Sequence, residues 1–110
     1  MVRAAYIIPG IMTYDEIIAG IFGSSVDKMK SKSRNGEDVE ARQVAMWWYV
    51  TRMDFRYSTT GRMFNRDHAT VSHAIKTVEN LKQTDRGFHN KFERAIEKCE
   101  MLKKAKNEIT

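Results

Sequence analysis

The sequence predicts an all-α protein, a helical bundle that contains a helix-turn-helix. Three observations point there. Apolar residues recur at helical spacing, as in Ile17, Ile18, Ile21 and Phe22 or Phe88, Phe92, Ala95 and Ile96. Strand-like alternation, internal repeats and low-complexity stretches are absent, and one proline with six glycines leaves little to interrupt helices. Finally, "TTGRMF" and "DHATVSHAIK" read as two helical pieces across a tight break.

Taken in order, Thr13 and Glu16 form a capping box, in which hydroxyl and carboxylate satisfy each other's backbone N–H groups. The apolar face that follows ends at Gly23, a residue suited to a helix stop. "SSVDKMKSK" predicts a shorter helix capped by Ser25, with Val26 and Met29 inward. "SRNGED" reads as a turn in which Asn35-Gly36 can take positive φ. Glu37 to about Met53 is the long central helix, its acidic start matched to the helix dipole. Ala41, Val44, Ala45 and Trp48 share a face while Met46, Trp47 and Val50 lie off it, so several neighbours must surround this helix. Two turns begin at Ser58, and Asp67 to about Gln83 follows with Val71, Ala74, Ile75, Val78 and Leu81 on one side. Phe88, Phe92, Ala95, Ile96, Cys99 and Leu102 mark a final amphipathic helix, expected to fray at "KKAKNEIT".

Composition narrows the function. With 110 residues the chain fits one domain able to build a modest core without disulfide or metal. Cys99 is the sole cysteine, which fits a reducing compartment, and Pro9-Gly10 cuts the N-terminal apolar run too short for a secretory signal. A cytoplasmic protein of bacterial or phage origin is expected, with no membrane partner. Nineteen Lys and Arg against fourteen Asp and Glu give +5, and Lys28, Lys30, Lys32 and Arg34 crowd into "KMKSKSR". A polyanionic partner is favoured.

The densest functional stretch is "NRDHATVSHA", Asn65 to Ala74. A metal site needs convergent ligands, but His68 and His73 are five apart, about 140° around a helix. Acid–base catalysis needs a pocket and a positioned partner, and the sequence shows neither a nucleophile motif nor a glycine-rich phosphate loop. With the apolar stripe inward, Ala69, Ser72, His73 and Lys76 point outward and His68 sits on the flank. That small, polar or basic edge suits close approach to a DNA groove. A plain surface helix with Asp67 as its cap is the alternative.

"RDHATVSHA" resembles the signature of the DNA-binding C-terminal domain of the DnaA family of bacterial replication initiators, approximately G-R-D-H-[T/S]-T-V-x-H-A. The likeness extends through "MKSKSRNGEDVEARQVAM", similar to the family's basic loop and central helix, and through "TTGRMF" in place of its E-I-G-x-x-F helix. It covers about Thr13 to Gln83. The resemblance implies a helical bundle of DnaA C-terminal or Trp-repressor-like type and sequence-specific binding of double-stranded DNA. It further implies Arg34 in the minor groove and base contacts from Asp67, His68, Thr70 and His73. The Ala69 methyl can meet a thymine methyl. Phosphate contacts are expected from Lys32, Arg42, Arg66, Ser72 and Lys76.

Ala69 replaces the family's Thr or Ser, Asn65 its glycine and Thr60 an apolar residue, which together imply a shifted target site. No G-x-x-x-x-G-K-[S/T] nucleotide loop occurs, so no nucleotide, cofactor or enzymatic activity is expected. The expected layout is an N-terminal extension over 1–12, the DNA-binding domain over 13–83, and a C-terminal helix over 84–110 packing on that domain. The whole is read as a free-standing module involved in replication initiation or its regulation, a monomer or weak dimer. The other reading is a transcription regulator, or an interaction module without strong sequence preference.

Overall fold

The computed structural model describes residues 12–109. Pro9-Gly10 and nearly all of the expected N-terminal extension lie outside that range. Among the described residues six helices follow in order: α1 Tyr14–Ile21, α2 Val26–Lys30, α3 Gly36–Thr51, α4 Tyr57–Met63, α5 His68–Thr84 and α6 Arg86–Ile109. No strand occurs among the described residues. The chain is all-α.

Local sequence chemistry accounts for most boundaries. Thr13 Oγ1 accepts from Glu16 N–H at 3.1 Å and Glu16 Oε1 from Thr13 N–H at 2.8 Å, the expected capping box. At the far end of α1, Gly23 takes φ +78°. Ser24 N–H reaches Ala19 O at 2.8 Å and Gly23 N–H reaches Gly20 O at 3.3 Å, the paired bonds of a Schellman stop. Ser25 caps α2 by accepting from Lys28 N–H.

Two expectations need correction. Asn35 and Gly36 do not form a positive-φ turn. Asn35 is extended (φ −62°, ψ 141°) and caps α3, whose first residue is Gly36. The acidic pair Glu37 and Asp38 then occupies the first turn, where the helix dipole favours it. Nor does the chain fray at "KKAKNEIT": α6 continues to Ile109. Lys103 Nζ donates to Arg52 O at 2.8 Å, and Lys106 Nζ stands 4.7 Å from the Tyr14 ring centroid. These tertiary ties, together with the good helix propensity of Lys, Ala and Glu, keep the segment helical.

α3 is the axis of the bundle. Ala41, Val44, Ala45, Met46, Trp47 and Trp48 are all buried, as an apolar surface nearly all round the helix requires. α5 lies chiefly on α3 and α4, while α1 and α6 pack on each other. α6 buries Phe88, Phe92, Ala95, Ile96, Cys99 and Leu102 in the same core. Burial pushes the Cys99 thiol up to about 12, with Asp15 and Glu100 adding to the shift, so it behaves as an inert apolar side chain.

Among the described residues two buried side-chain groups lack a hydrogen-bond partner, Trp48 Nε1 in α3 and Thr60 in α4. Thr60 is fully buried and its hydroxyl has no hydrogen-bond partner. It is also the position where the resemblance calls for an apolar residue. Thr60→Val keeps the shape and removes the unsatisfied oxygen, so stability is expected to rise by about 1 kcal/mol in urea unfolding. A loss of stability would mean that the hydroxyl has a partner in solution.

Candidate nucleic-acid interface

The N-terminal half of α5 presents the candidate edge. Val71, Ala74 and Val78 are buried, seating the helix, while His68, Ala69, Thr70, His73 and Lys76 are exposed and Ser72 is half-buried. Asp67 is the N-cap, its Oδ1 accepting from Thr70 N–H at 2.8 Å. Hydrogen bonds from the Thr70 backbone and then its side chain hold the Asp67 carboxyl below the ordinary carboxylate range. A carboxylate has about four lone-pair sites, so the capping bonds leave it further acceptor capacity. Capping and contact with a ligand are therefore compatible at this residue.

The turn before α5 rests on two special backbone positions. Asn65 adopts φ +56°, the left-handed region that glycine and, next best, asparagine enter at low cost. Replacing the family's glycine with Asn65 thus preserves the turn. Gly61 answers a different need. A Cβ there would stand 2.4 Å from Arg66 O and 3.3 Å from Asp67 C. Phe64 N–H and Arg66 N–H both close onto Gly61 O, at 3.1 and 2.8 Å. Only a residue without a side chain lets the turn fold this tightly on α4.

Beside this turn lies the basic loop between α2 and α3, with Lys32 and Arg34 exposed. Its shape is fixed from below. Asp38, in the first turn of α3, accepts from Ser24 Oγ and Ser33 Oγ, each at 2.6 Å. Those two hydroxyls, Ser24 first, hold its carboxyl below the usual range. Because the folded-state pKa is the lower one, this support is fully present at neutral pH. It fades only as pH falls below the ordinary carboxylate range.

Arg42, for which a phosphate contact is expected, turns its guanidinium toward backbone carbonyls. It is 8% exposed, and Nε donates to Met29 O at 2.8 Å while Nη2 donates to Ser31 O and Ser33 O at 3.0 Å. Burial, then the nearby Arg66 charge, lowers its pKa, although a guanidinium stays charged at neutral pH. It braces the loop through three carbonyls. Arg66 is half-buried and likewise turned inward, Nη1 to Phe64 O at 2.6 Å and Nη2 to Ser31 O at 2.7 Å.

Loop and turn thus enclose a shallow cleft of about 360 Å³ lined by Lys32, Ser33, Arg34, Val39, Arg42, Asn65 and Arg66. Every charged residue in that lining is cationic. The fold brings Arg34 into one cleft with Asn65 and Arg66, the residues that lead into α5, although they are far apart in sequence. Asp38, Ser24, Ser33 and Gly61 were not recognisable as parts of this site. Asp38 reads as an ordinary helix-start acid, and only tertiary structure shows which serines it holds. Among the described residues no group of three His, Cys, Asp or Glu side chains is placed to hold a metal ion, and no helix is long and apolar enough to cross a membrane.

Comparison with known proteins matches the same region. Residues 14–78, more than half of the chain, match the family model described as bacterial DnaA protein helix-turn-helix. The chain is similar to the chromosomal replication initiator protein DnaA of Bacteroides fragilis (strain YCH46), 40% identical over 100 residues, covering 87% of this chain and 20% of that protein. Its similarity to DnaA of Bacteroides thetaiotaomicron is 38% over 81 residues, 70% of this chain and 17% of the relative. For DnaA of Pseudothermotoga lettingae it is 42% over 64 residues, 58% and 14%. The chain therefore spans a fifth or less of the length of these relatives.

Proposed function

Because the chain belongs to the bacterial DnaA helix-turn-helix family, we propose that it is a site-specific double-stranded DNA-binding module acting in replication initiation or its regulation. The observation that carries this reading is the exposed edge at the start of α5 beside a cleft whose charged lining is wholly cationic. In this account the α5 edge enters the major groove, where Asp67, His68, Ala69, Thr70 and His73 face bases. Arg34 enters the neighbouring minor groove, whose negative potential favours a guanidinium. Lys32, Ser72 and Lys76 contact phosphates, which fix orientation without reading sequence. Asp67 accepts from a cytosine amino group through acceptor capacity left over from capping. Ala69 offers a methyl where a hydroxyl is usual in the family, so its base pair is chosen by apolar contact. No nucleotide takes part in these contacts.

Because Asp67 also caps α5, Asp67→Ala would mix two effects. Asp67→Asn separates them, since asparagine caps as well as aspartate but adds an amide donor. The variant is expected to keep its thermal stability and to change base preference at one position by about 1–3 kcal/mol, measured by competition between duplexes. Lys76→Ala should instead weaken all duplexes alike and reduce the slope of log affinity against log salt by about 0.9. Unchanged base preference in Asp67→Asn would remove Asp67 from the reading edge.

A further inference from the structure

Arg66 makes two contacts that belong to different parts of the surface. Nη1 donates to Phe64 O, in the turn that leads into α5, and Nη2 donates to Ser31 O, at the start of the basic loop. The second bond joins residues 35 apart in sequence. α2 packs mainly on α1 and α3, so this guanidinium is a direct strut between loop and turn. Lys30, 5.3 Å from the Phe64 ring centroid, adds a weaker tie nearby. Ser31 O also accepts from Arg42 Nη2, so one carbonyl is gripped by two guanidinium groups.

We propose that Arg66 is a positioning residue that sets the distance between Arg34 and the α5 edge before DNA arrives. It does so by locking the basic loop to the helix-turn-helix turn, and it does not act as a phosphate contact. The proposal rests on the DNA-binding reading for its effect on affinity, but the lock itself is a property of the free protein. A planar fork suits the task because two nitrogens on one rigid plane can serve two carbonyls at once, which a single ammonium does poorly. Ordering both contact elements in advance removes that cost from binding, and binding to a site that spans two grooves gains most from it.

The test uses the full chain with Arg66→Lys, which keeps the charge, and Arg66→Met, which removes it. Both are expected to bind the preferred duplex about tenfold more weakly than wild type. Both should leave the salt slope unchanged, because Arg66 releases no phosphate counterion. In the DNA-free protein, the Ser33 and Asn35 amide protons, bonded to Ser31 Oγ and Ser33 Oγ, should exchange about fivefold faster in both variants. Arg66→Lys binding like wild type, with Arg66→Met reducing the salt slope by about 0.9, would make Arg66 a phosphate contact and overturn the proposal. Unchanged exchange rates would overturn it too. If wild-type protein prefers no duplex, the DNA-binding reading alone fails, and the exchange rates still decide whether the strut exists.

Discussion

Gly61→Ala is expected to lower stability by about 2–3 kcal/mol, despite placing a better helix former inside α4. Alanine in a helix is favoured over glycine by about 1 kcal/mol. Against that stands a Cβ 2.4 Å from the Arg66 carbonyl oxygen and 3.3 Å from Asp67 C. Both atoms are backbone, so no side-chain rotation relieves the overlap, and the turn itself must move. Overpacking typically costs about 1–3 kcal/mol and occasionally more, and overlap with rigid backbone puts this case at or above the upper end before the propensity gain is subtracted. The melting temperature should fall by roughly 10–20 °C. The functional effect is larger than the stability effect implies. Displacing Arg66 and Asp67 moves the start of α5 and the strut to Ser31 together, so sequence preference should be lost even where the variant is fully folded. Calorimetry and duplex competition at 20 °C read the two effects separately. A variant that melts at or above the wild-type temperature would show that the turn does not pack on Gly61 as described.

Arg42→Ala should cost about 2–4 kcal/mol, because three carbonyls lose a charged donor in a largely buried setting. The loop that carries Lys32 and Arg34 then loses its floor, while Asp38 keeps only its two serine contacts. Preference for the correct duplex is expected to drop at least tenfold, with little change in salt slope, since the guanidinium faces carbonyls. Arg42→Lys should recover only part of this, because one ammonium cannot reach all three acceptors in a plane. Equal weakening of all duplexes with a flatter salt dependence would instead identify Arg42 as a phosphate contact.

These two residues mark where sequence patterns stop being informative. The Thr13–Glu16 box, the Gly23 stop, the Ser25 cap and the apolar stripe of α5 depend on neighbours within a few positions. Each is legible in the chain, and each is present in the fold. Asn35-Gly36 misleads because the same dipeptide suits a positive-φ turn or a helix start, and the acids after it together with the loop held to Asp38 decide the outcome. The end of α6 misleads because Arg52 O and the Tyr14 ring hold it from other helices. At the site, the exposed edge follows from helical phasing. The inward turn of Arg42 and Arg66 does not, because the carbonyls they reach are 9–13 and 2–35 residues away. An arginine in a basic stretch reads from sequence as a surface contact, because the carbonyls it braces are not visible there.

Asn65 and Ala69, both departures from the family pattern, differ in kind. Asn65 keeps a left-handed turn that glycine would otherwise supply, so it is a conservative replacement in backbone terms. Ala69 is exposed at the edge, so under the proposed DNA-binding reading its effect falls on which base pair is chosen.

The most direct measurement is selection from a pool of random duplex DNA at low salt, run with wild type, Arg34→Ala and His68→Ala. Wild type should enrich a single motif. Arg34→Ala should lose preference only at the end read through the minor groove, and His68→Ala only within the part read by α5. Wild-type protein that enriches no motif would contradict a surface built to read two adjacent grooves.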